Sequence, residues 1–202
     1  RAAVVAFDPM SPITSGALLG DRLRVDFNRL EERVYYRSLA ISGEDYHALD
    51  DIIGLIGGCP VAPGQSGGFD LLFVETVGAG QSEVDIARMA HTVIVVEAPG
   101  LGDDVQAIKA GILEIADILV VNKADRPGAR NAVRALCAML ELGHRLRNSG
   151  HHGAGLLPAP VEALAADSWT VPVIETVATE HTGIADVLAE LERRTAQSGL
   201  AE

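Results

Sequence analysis

At 202 residues and 21.2 kDa, the chain is long enough to bury a substantial core within one domain spanning residues 1–202. Hydrophobic residues (48%) outweigh charged ones (22%), which is typical of a soluble globular protein, and no apolar run reaches the length of a membrane span. The formal net charge of −12 argues against a nucleic-acid surface, because phosphate backbones require a basic face. The two cysteines have no Cys-x-x-Cys partner, which favours a reduced, cytoplasmic setting.

The pattern of apolar runs and turn residues predicts strands that alternate with helices along the chain. Short apolar runs predict six strands, at Ala2–Phe7, Val34–Leu39, Phe69–Glu75, Thr92–Val96, Asp117–Val121 and Val171–Ile174. Apolar residues at helical spacing predict five helices, at His47–Ile56, Glu83–Ala90, Asp103–Ala116, Ala129–Leu146 and Ile184–Arg194. This alternation is typical of an α/β fold with a doubly wound, mostly parallel sheet.

The stretch FDLLFVETVGAGQSE, residues 69–83, combines an apolar run, an acid and a glycine loop. The nearly continuous apolar run predicts a central strand covered on both faces. It ends on Glu75 and breaks into a loop in which Gly78 and Gly80 allow close approach of a ligand. Since ligands bind at the carboxyl ends of strands in open α/β sheets, we expect Glu75 and Gly78 beside a phosphate and its metal. Taken alone, a chance acid at a strand end explains this pattern equally well.

The tetrapeptide Asn122-Lys123-Ala124-Asp125 directly follows the predicted strand over residues 117–121. An Asp carboxylate there can accept two hydrogen bonds from N1 and the exocyclic amine of guanine, a donor pair that adenine lacks. Asn122 can hold the loop and the base edge, and the stem of Lys123 can lie over the ring plane. The alternative is a surface turn, which the position at a strand's carboxyl end disfavours.

Acidic residues also mark the end of the first strand and the polar loop that follows it, at Asp8 and Asp21. Together with Glu75 they would repel one another unless a divalent cation lay between them, so we predict a Mg²⁺ site formed by the three acids. Glu75-Thr-Val-Gly78 has the order of a Walker-B region, in which a carboxylate reaches Mg²⁺ through water and a glycine amide meets the γ-phosphate. The alternative is a turn-initiating Asp-Pro and a solvent-exposed Gly-Asp.

Several motifs occur in a fixed order: Asp8-Pro-Met-Ser-Pro, Gly16-Ala-Leu-Leu-Gly-Asp21-Arg, Glu75-Thr-Val-Gly-Ala-Gly-Gln-Ser-Glu83, Pro99-Gly-Leu-Gly-Asp-Asp-Val-Gln-Ala-Ile-Lys-Ala-Gly111, Asn122-Lys-Ala-Asp-Arg-Pro-Gly128 and Thr176-Val-Ala-Thr. Together they resemble the ArgK/MeaB GTPases, a group that includes the MMAA-type metallochaperones of adenosylcobalamin-dependent acyl-CoA mutases. The resemblance runs from Arg1 to about Arg194. It implies a P-loop NTPase fold of the SIMIBI type.

The resemblance also implies a function: a Mg²⁺-dependent GTPase that gates cobalamin loading and protects methylmalonyl-CoA mutase or a relative. It assigns four groups of residues: the catalytic and metal centre at Asp8, Asp21, Glu75 and Gly78; the guanine readers Asn122, Lys123 and Asp125; the loop backing the base at Val177 and Ala178; and the segment 100–111 that passes the nucleotide state to the mutase, with Asp103, Gln106 and Lys109. Gln81 is a candidate for orienting the attacking water.

The sequence departs from the family at several points. No G-x-x-x-x-G-K-[ST] phosphate loop occurs in it. The family carries that loop and its strand just ahead of the position of Arg1, and the strand normally lies between those predicted at 69–75 and 92–96. Two strand edges would then face a gap about 10 Å wide. Ile13 and Ser15 stand where the first switch usually has Arg and Gly, and residues 42–68 do not contain the glycine-rich sequence expected after that switch. The family usually continues after the position of Glu202 into a helical dimerisation arm. A homodimer is therefore expected only of a full-length protein.

Two alternative functions stay open. A non-catalytic, truncated remnant would not bind GTP alone but would keep a surface for the mutase. A chaperone for nickel or cobalt is disfavoured, because the chain has no His-rich or Cys-x-Cys-x-x-Cys run. The histidines at 144, 151 and 152 are compatible with a metal or cobalamin ligand, although paired His in a glycine-rich linker is more often exposed to solvent. The single tryptophan, Trp169, is predicted to serve packing.

Overall fold

The computed structural model describes residues 1–9, 34–41, 54, 68–76, 86–87, 89–100, 114–149 and 169–198. Contacts divide the chain into two units, Arg1–Met89 and Ala90–Glu202, each with its own sheet. The assignment of residues 1–202 to one domain stays a prediction. Within the described ranges, no helix is both long and apolar enough to cross a membrane.

The first unit contains a three-stranded parallel sheet in the order β2-β1-β3. The strands are β1 at Ala2–Pro9, β2 at Val34–Ile41 and β3 at Leu71–Thr76. Every pairing runs parallel, so the carboxyl ends of the three strands lie along one edge of the sheet. Val5 and Phe7 form a small core with Ile86, because alternate side chains of β1 point to the same face.

The prediction that β3 is a central strand covered on both faces is wrong. In the structure β3 stands at the end of its sheet, and Phe73 (41% exposed) and Glu75 face solvent. A continuous apolar run reports the composition of a strand but does not determine how many neighbours the strand has.

The second unit contains a parallel sheet in the order β4-β5-β6, with two long helices. Its strands are β4 at Ile94–Glu97, β5 at Ile118–Asn122 and β6 at Val173–Thr176. Its helices are α1 at Ala129–Ser149 and α2 at Ile184–Gln197. A single-turn 3₁₀ helix at Ala178–Glu180 connects β6 to α2.

Strand β5 is the centre of the second unit. Its apolar residues Ile118–Val121 are all buried, because β4 and β6 flank the strand on both sides. On one face, Leu119 and Val121 pack against Leu136 of α1. The inner residues of α1 recur at intervals of three and four, which is the spacing of one helix face.

The predicted alternation of strands and helices in a parallel α/β fold is confirmed, with strand boundaries shifted by at most two residues. Among the described strands, the four at the ends of the two sheets, β2, β3, β4 and β6, each have a neighbour on one side only. The missing strand between β3 and β4 stays a prediction. The predicted helices at 47–56, 83–90 and 103–116 lie largely outside the described residues.

Candidate nucleotide-binding site

The first loop of the candidate site follows β5 at the carboxyl edge of its sheet. Lys123 adopts a left-handed backbone conformation (φ 59°), which is uncommon for a residue other than glycine. Its backbone N–H donates to Oδ1 of Asn122 at 2.8 Å, and its carbonyl accepts the N–H of Arg126 at 3.0 Å. These bonds hold a tight turn from which the side chains of Lys123 and Asp125 emerge exposed, where a ligand can reach them.

The second loop follows β6 and closes on itself. Val177 and Thr182 exchange two backbone hydrogen bonds, at 3.1 and 3.2 Å, around the 3₁₀ turn. Gly183 then starts α2 with φ 75°, and a Cβ at this position would overlap the carbonyl oxygen of Glu175. Only glycine fits there, because the left-handed conformation and the close backbone approach coincide.

The side-chain oxygen of Asn122 joins the two loops. It accepts the hydroxyl of Thr176 at 3.2 Å and the backbone N–H of Ala178 at 3.1 Å, in addition to the N–H of Lys123. A further bond runs from the N–H of Ala124 to the carbonyl of Thr176, at 3.0 Å. Two backbone donors fix which end of the amide is oxygen, so the NH₂ group of Asn122 faces away from the second loop.

The structure therefore brings the five predicted base-binding positions together on two adjoining loops: Asn122, Lys123, Asp125, Val177 and Ala178. The two loops present the carboxylate of Asp125, the NH₂ group of Asn122 and the backbone N–H of Ala178. That N–H also donates to Asn122 Oδ1. These groups match the donors and acceptors on the edge of a 6-oxopurine. Their roles in binding a base stay predictions.

The predicted metal and phosphate residues belong to the first unit. Glu75 lies exposed at the carboxyl end of β3, where its Cα pairs with Ala6 of β1. The backbone of Asp8 lies two positions further along β1, so that both acids occur at the same sheet edge. A carboxylate is the oxygen ligand that Mg²⁺ prefers, and Glu75 fits that chemistry.

Asp21 and Gly78 lie outside the described residues, as do Asp103, Gln106, Lys109, Gln81, His151 and His152. For His144, only the backbone within α1 is described. In the parts of the chain that the structure covers, no three His, Cys, Asp or Glu side chains converge as a metal site would require. The acid trio and the partner-facing segment stay predictions.

An open cavity of about 360 Å³ adjoins the first loop and is lined by residues 124–131. Of the predicted base readers, only Asp125 lines it. The cavity therefore lies on the α1 side of the loop, not between the loop and residues 177–178.

Two residues of this sheet edge were missed by the sequence analysis. Thr176 is 2% exposed and donates to Asn122; it was part of the Thr176-Val-Ala-Thr motif in the sequence analysis but was given no role there. Glu97 ends β4 half-buried, in register with Val121, and burial raises the pKa of its carboxyl group above the usual value. The sequence pattern that could have identified Glu97 is the one that singled out Glu75, an acidic residue at the end of an apolar strand.

The model of one protein family, described as Methylmalonyl Co-A mutase-associated GTPase MeaB, matches residues 1–201. This chain belongs to the MeaB GTPase family. The predicted membership is thus confirmed.

Individual proteins agree with this assignment. A protein from Pyrococcus abyssi described as "Putative GTPase" is 43% identical over 188 residues, which cover 91% of this chain and 50% of the relative. The fused isobutyryl-CoA mutase of Nocardia farcinica is 35% identical over 170 residues, or 84% of this chain and 15% of that protein. The chain spans about half the length of the first relatives that it matches.

One solved structure supports the fold. A LAO/AO transport system kinase aligns with a TM-score of 0.56 and 21% identity, over 100% of this chain and 51% of the other. The P-loop-type α/β fold expected of a MeaB-family GTPase is confirmed by this likeness.

Proposed function

We propose that the protein containing this chain binds and hydrolyses GTP, and that it couples this cycle to cobalamin loading and protection of an acyl-CoA mutase of the methylmalonyl-CoA mutase type. The observation that carries the proposal is the hydrogen-bonded union of the two loops through Asn122, Thr176 and Ala178. A rigid pair of loops with exposed polar groups is what selective recognition of a base edge requires.

At the base, the carboxylate of Asp125 accepts the two donors that distinguish guanine from adenine. The N–H of Ala178 donates to the 6-oxo group. Asn122 Oδ1 keeps its bonds to Lys123 and Thr176 while that N–H is shared with the base, so no buried acceptor is left unsatisfied. The exposed Lys123 stem lies over the ring.

At the phosphates, Asp8, Asp21 and Glu75 would hold Mg²⁺, which neutralises charge on the β- and γ-phosphate oxygens when it is bound. Asp8 and Glu75 orient the attacking water, and the N–H of Gly78 reports the presence of the γ-phosphate. The lysine and hydroxyl of a phosphate loop do not occur in this sequence as a G-x-x-x-x-G-K-[ST] motif. The alternative function, a remnant that keeps the mutase surface without turnover, rests on that observation.

Calorimetric titration of the chain with GTP and Mg²⁺ separates the two functions. Micromolar binding by these 202 residues rules out the inert remnant. If titration of this chain gives no heat of binding, while a protein that includes a phosphate loop does bind GTP, the result supports the non-catalytic remnant as the function of this chain alone.

The proposed partner is an acyl-CoA mutase. The family description names a mutase-associated GTPase, and one relative is itself a fused isobutyryl-CoA mutase. A cytoplasmic location and a Mg²⁺ requirement complete the proposal.

The decisive variant is Asp125→Asn in a protein that includes the phosphate loop. An amide there offers a donor to the 2-oxo group of xanthine and loses the paired acceptor for guanine, so nucleotide preference should move from GDP to XDP by a factor on the order of 100. Asp186→Asn, at an exposed acid in the first turn of α2, is the matched control and should leave the preference unchanged. Unaltered GDP affinity in Asp125→Asn would contradict the assignment of this residue.

A further inference from the structure

Helix α1 presents an outward ridge of exposed residues at intervals of four. The ridge consists of Arg130, Arg134, Ala138 and Leu142, all of which face solvent. Leu142 is 58% exposed, which places it among the most exposed large apolar side chains of the described residues. Residues spaced by four form one of the ridges through which helices pack against other helices. The ridge is therefore basic near the start of α1, small at its middle and apolar beyond it.

The charges on the ridge oppose the electrostatics of the helix itself. Arg126 and Arg130 lie at the amino end of α1, where the helix dipole disfavours cations, and the first turn contains no acid. Arg130 and Arg134 also lie four residues apart on α1, a spacing at which like charges repel. Among the residues that the structure describes, none of the three arginines forms an ion pair. Within the described residues the three arginines therefore add no ion pair that would stabilise the fold, which points to a use outside the chain.

The scaffold beneath the ridge is firmly held. The opposite face of α1 packs Leu136 and its neighbours Val133 and Leu140 against the sheet. The ridge thus projects from a fixed support and begins directly after the loop that carries Asp125. The open cavity of about 360 Å³ lies at its basic end, lined in part by Arg126 and Arg130.

We propose that the Arg130–Arg134–Ala138–Leu142 ridge is a docking face for a partner protein that offers carboxylates beside an apolar patch. The inference rests on the proposed function in one respect, because it takes that partner to be the acyl-CoA mutase. Charge complementarity selects an acidic protein surface, and Leu142 selects an adjoining apolar one. Nucleic acid and anionic membranes do not fit, since a chain with net charge −12 repels a polyanion over the rest of its surface.

The test uses Arg130→Glu, because its effects on folding and on docking have opposite signs. A glutamate at the amino end of α1 complements the helix dipole, so the variant should unfold at an equal or higher temperature than the parent chain. The same change should weaken binding to purified methylmalonyl-CoA mutase from the source organism about tenfold, measured by biolayer interferometry. Leu142→Ala should also weaken binding, without changing its salt dependence.

The matched control is Arg37→Glu on the exposed face of β2, which makes the same change in net charge. It should leave mutase binding within about twofold of the parent. Equal effects of Arg37→Glu and Arg130→Glu would overturn the docking face while leaving the proposed function intact. Failure of the parent chain to bind the mutase would overturn both the partner and the face. Loss of self-association in Arg130→Glu, seen by analytical ultracentrifugation, would assign the ridge to a second copy of the chain and overturn the proposal.

Discussion

The hydroxyl of Thr176 donates to the side-chain oxygen of Asn122 at 3.2 Å, across 54 positions of the chain. Thr176 is also the buried polar residue of the described core, with 2% of its surface exposed. The bond therefore ties the carboxyl ends of β5 and β6 together. The side-chain oxygen of Asn122 also accepts the N–H of Ala178, so it links the two loops to each other.

Replacing Thr176 tests this tie. Thr176→Val removes the hydroxyl and Thr176→Ser removes only a methyl group, and each should lower the free energy of unfolding by about 1 kcal/mol. Only the valine variant removes one of the three hydrogen bonds that Asn122 Oδ1 accepts, so only it should loosen the Asn122 side chain and speed hydrogen exchange at the N–H of Ala178. Exchange measured by NMR checks the prediction. Equal exchange rates in the two variants would show that the hydroxyl does not hold the loops.

Gly183 is the position at which a methyl group should do most damage. A Cβ there would overlap Glu175 O and lie 3.1 Å from Thr176 Cγ2, on a backbone with φ 75°. Gly183→Ala should lower the free energy of unfolding by about 3 kcal/mol in urea denaturation, through strain and displacement of the second loop.

Gly143 of α1 is the control for that substitution, because nothing lies within 4 Å of a Cβ built on it. Gly143→Ala should raise the free energy of unfolding by about 0.5–1 kcal/mol, since alanine loses less backbone entropy in a helix. Loss of stability of similar size at both glycines would contradict the assigned conformational role of Gly183.

The sequence predicted those parts of the fold that depend on local pattern. Apolar runs of strand length located all six described strands, and the periodicity of α1 located its buried face around Leu136. The Asn-Lys-Ala-Asp tetrapeptide predicted a polar loop at the end of β5, and the structure places it there.

The neighbours of a strand could not be read from the sequence. β3 and β5 are both continuous apolar runs, yet β3 exposes Phe73 while β5 is buried between two strands. Pairing is a tertiary property that the composition of one strand does not encode. The role of Thr176 was hidden for the same reason, because its acceptor lies on another strand.

Trp169 was predicted to have a packing role, and in the structure it also makes two polar contacts. Its indole N–H donates to the carbonyl of Asp117 at 2.7 Å, and the guanidinium of Arg193 lies 4.1 Å from its ring centroid. Asp117 in turn accepts Nε of Arg194 at 2.8 Å and the N–H of Val93 at 2.9 Å. The amino ends of β4 and β5 are thereby fastened to the last turn of α2.

This cluster predicts unequal roles for two adjacent arginines. Arg194→Ala leaves the half-buried carboxylate of Asp117 without its cation and should cost about 2 kcal/mol of unfolding free energy. Arg193→Ala should cost no more than about 1 kcal/mol, because its ion pair with Glu190 on the same helix is exposed and its contact with the Trp169 ring is worth about 0.5–1 kcal/mol. Fluorescence reports both, since Trp169 is the single tryptophan of the chain. Equal losses in the two variants would contradict the anchoring role of Asp117.

The raised pKa of Glu97 leads us to expect that the stability of the chain depends on pH. Burial raises the pKa of this carboxyl group in the folded state, so the folded chain binds a proton more readily than the unfolded chain does. Stability contributed by this group therefore falls as the pH rises from the usual carboxyl pKa through the raised one, and the cost of the charged form is fully present above the raised pKa.

Glu97→Gln removes that cost while keeping the shape of the side chain. The variant should be more stable than the parent at pH 7, and the difference should shrink as the pH is lowered towards the usual pKa of a glutamate. Urea denaturation of both chains over a series of pH values measures the difference. A gap between the two chains that is constant with pH, or that widens in acid, would mean that the carboxylate has a stabilising partner in the folded state.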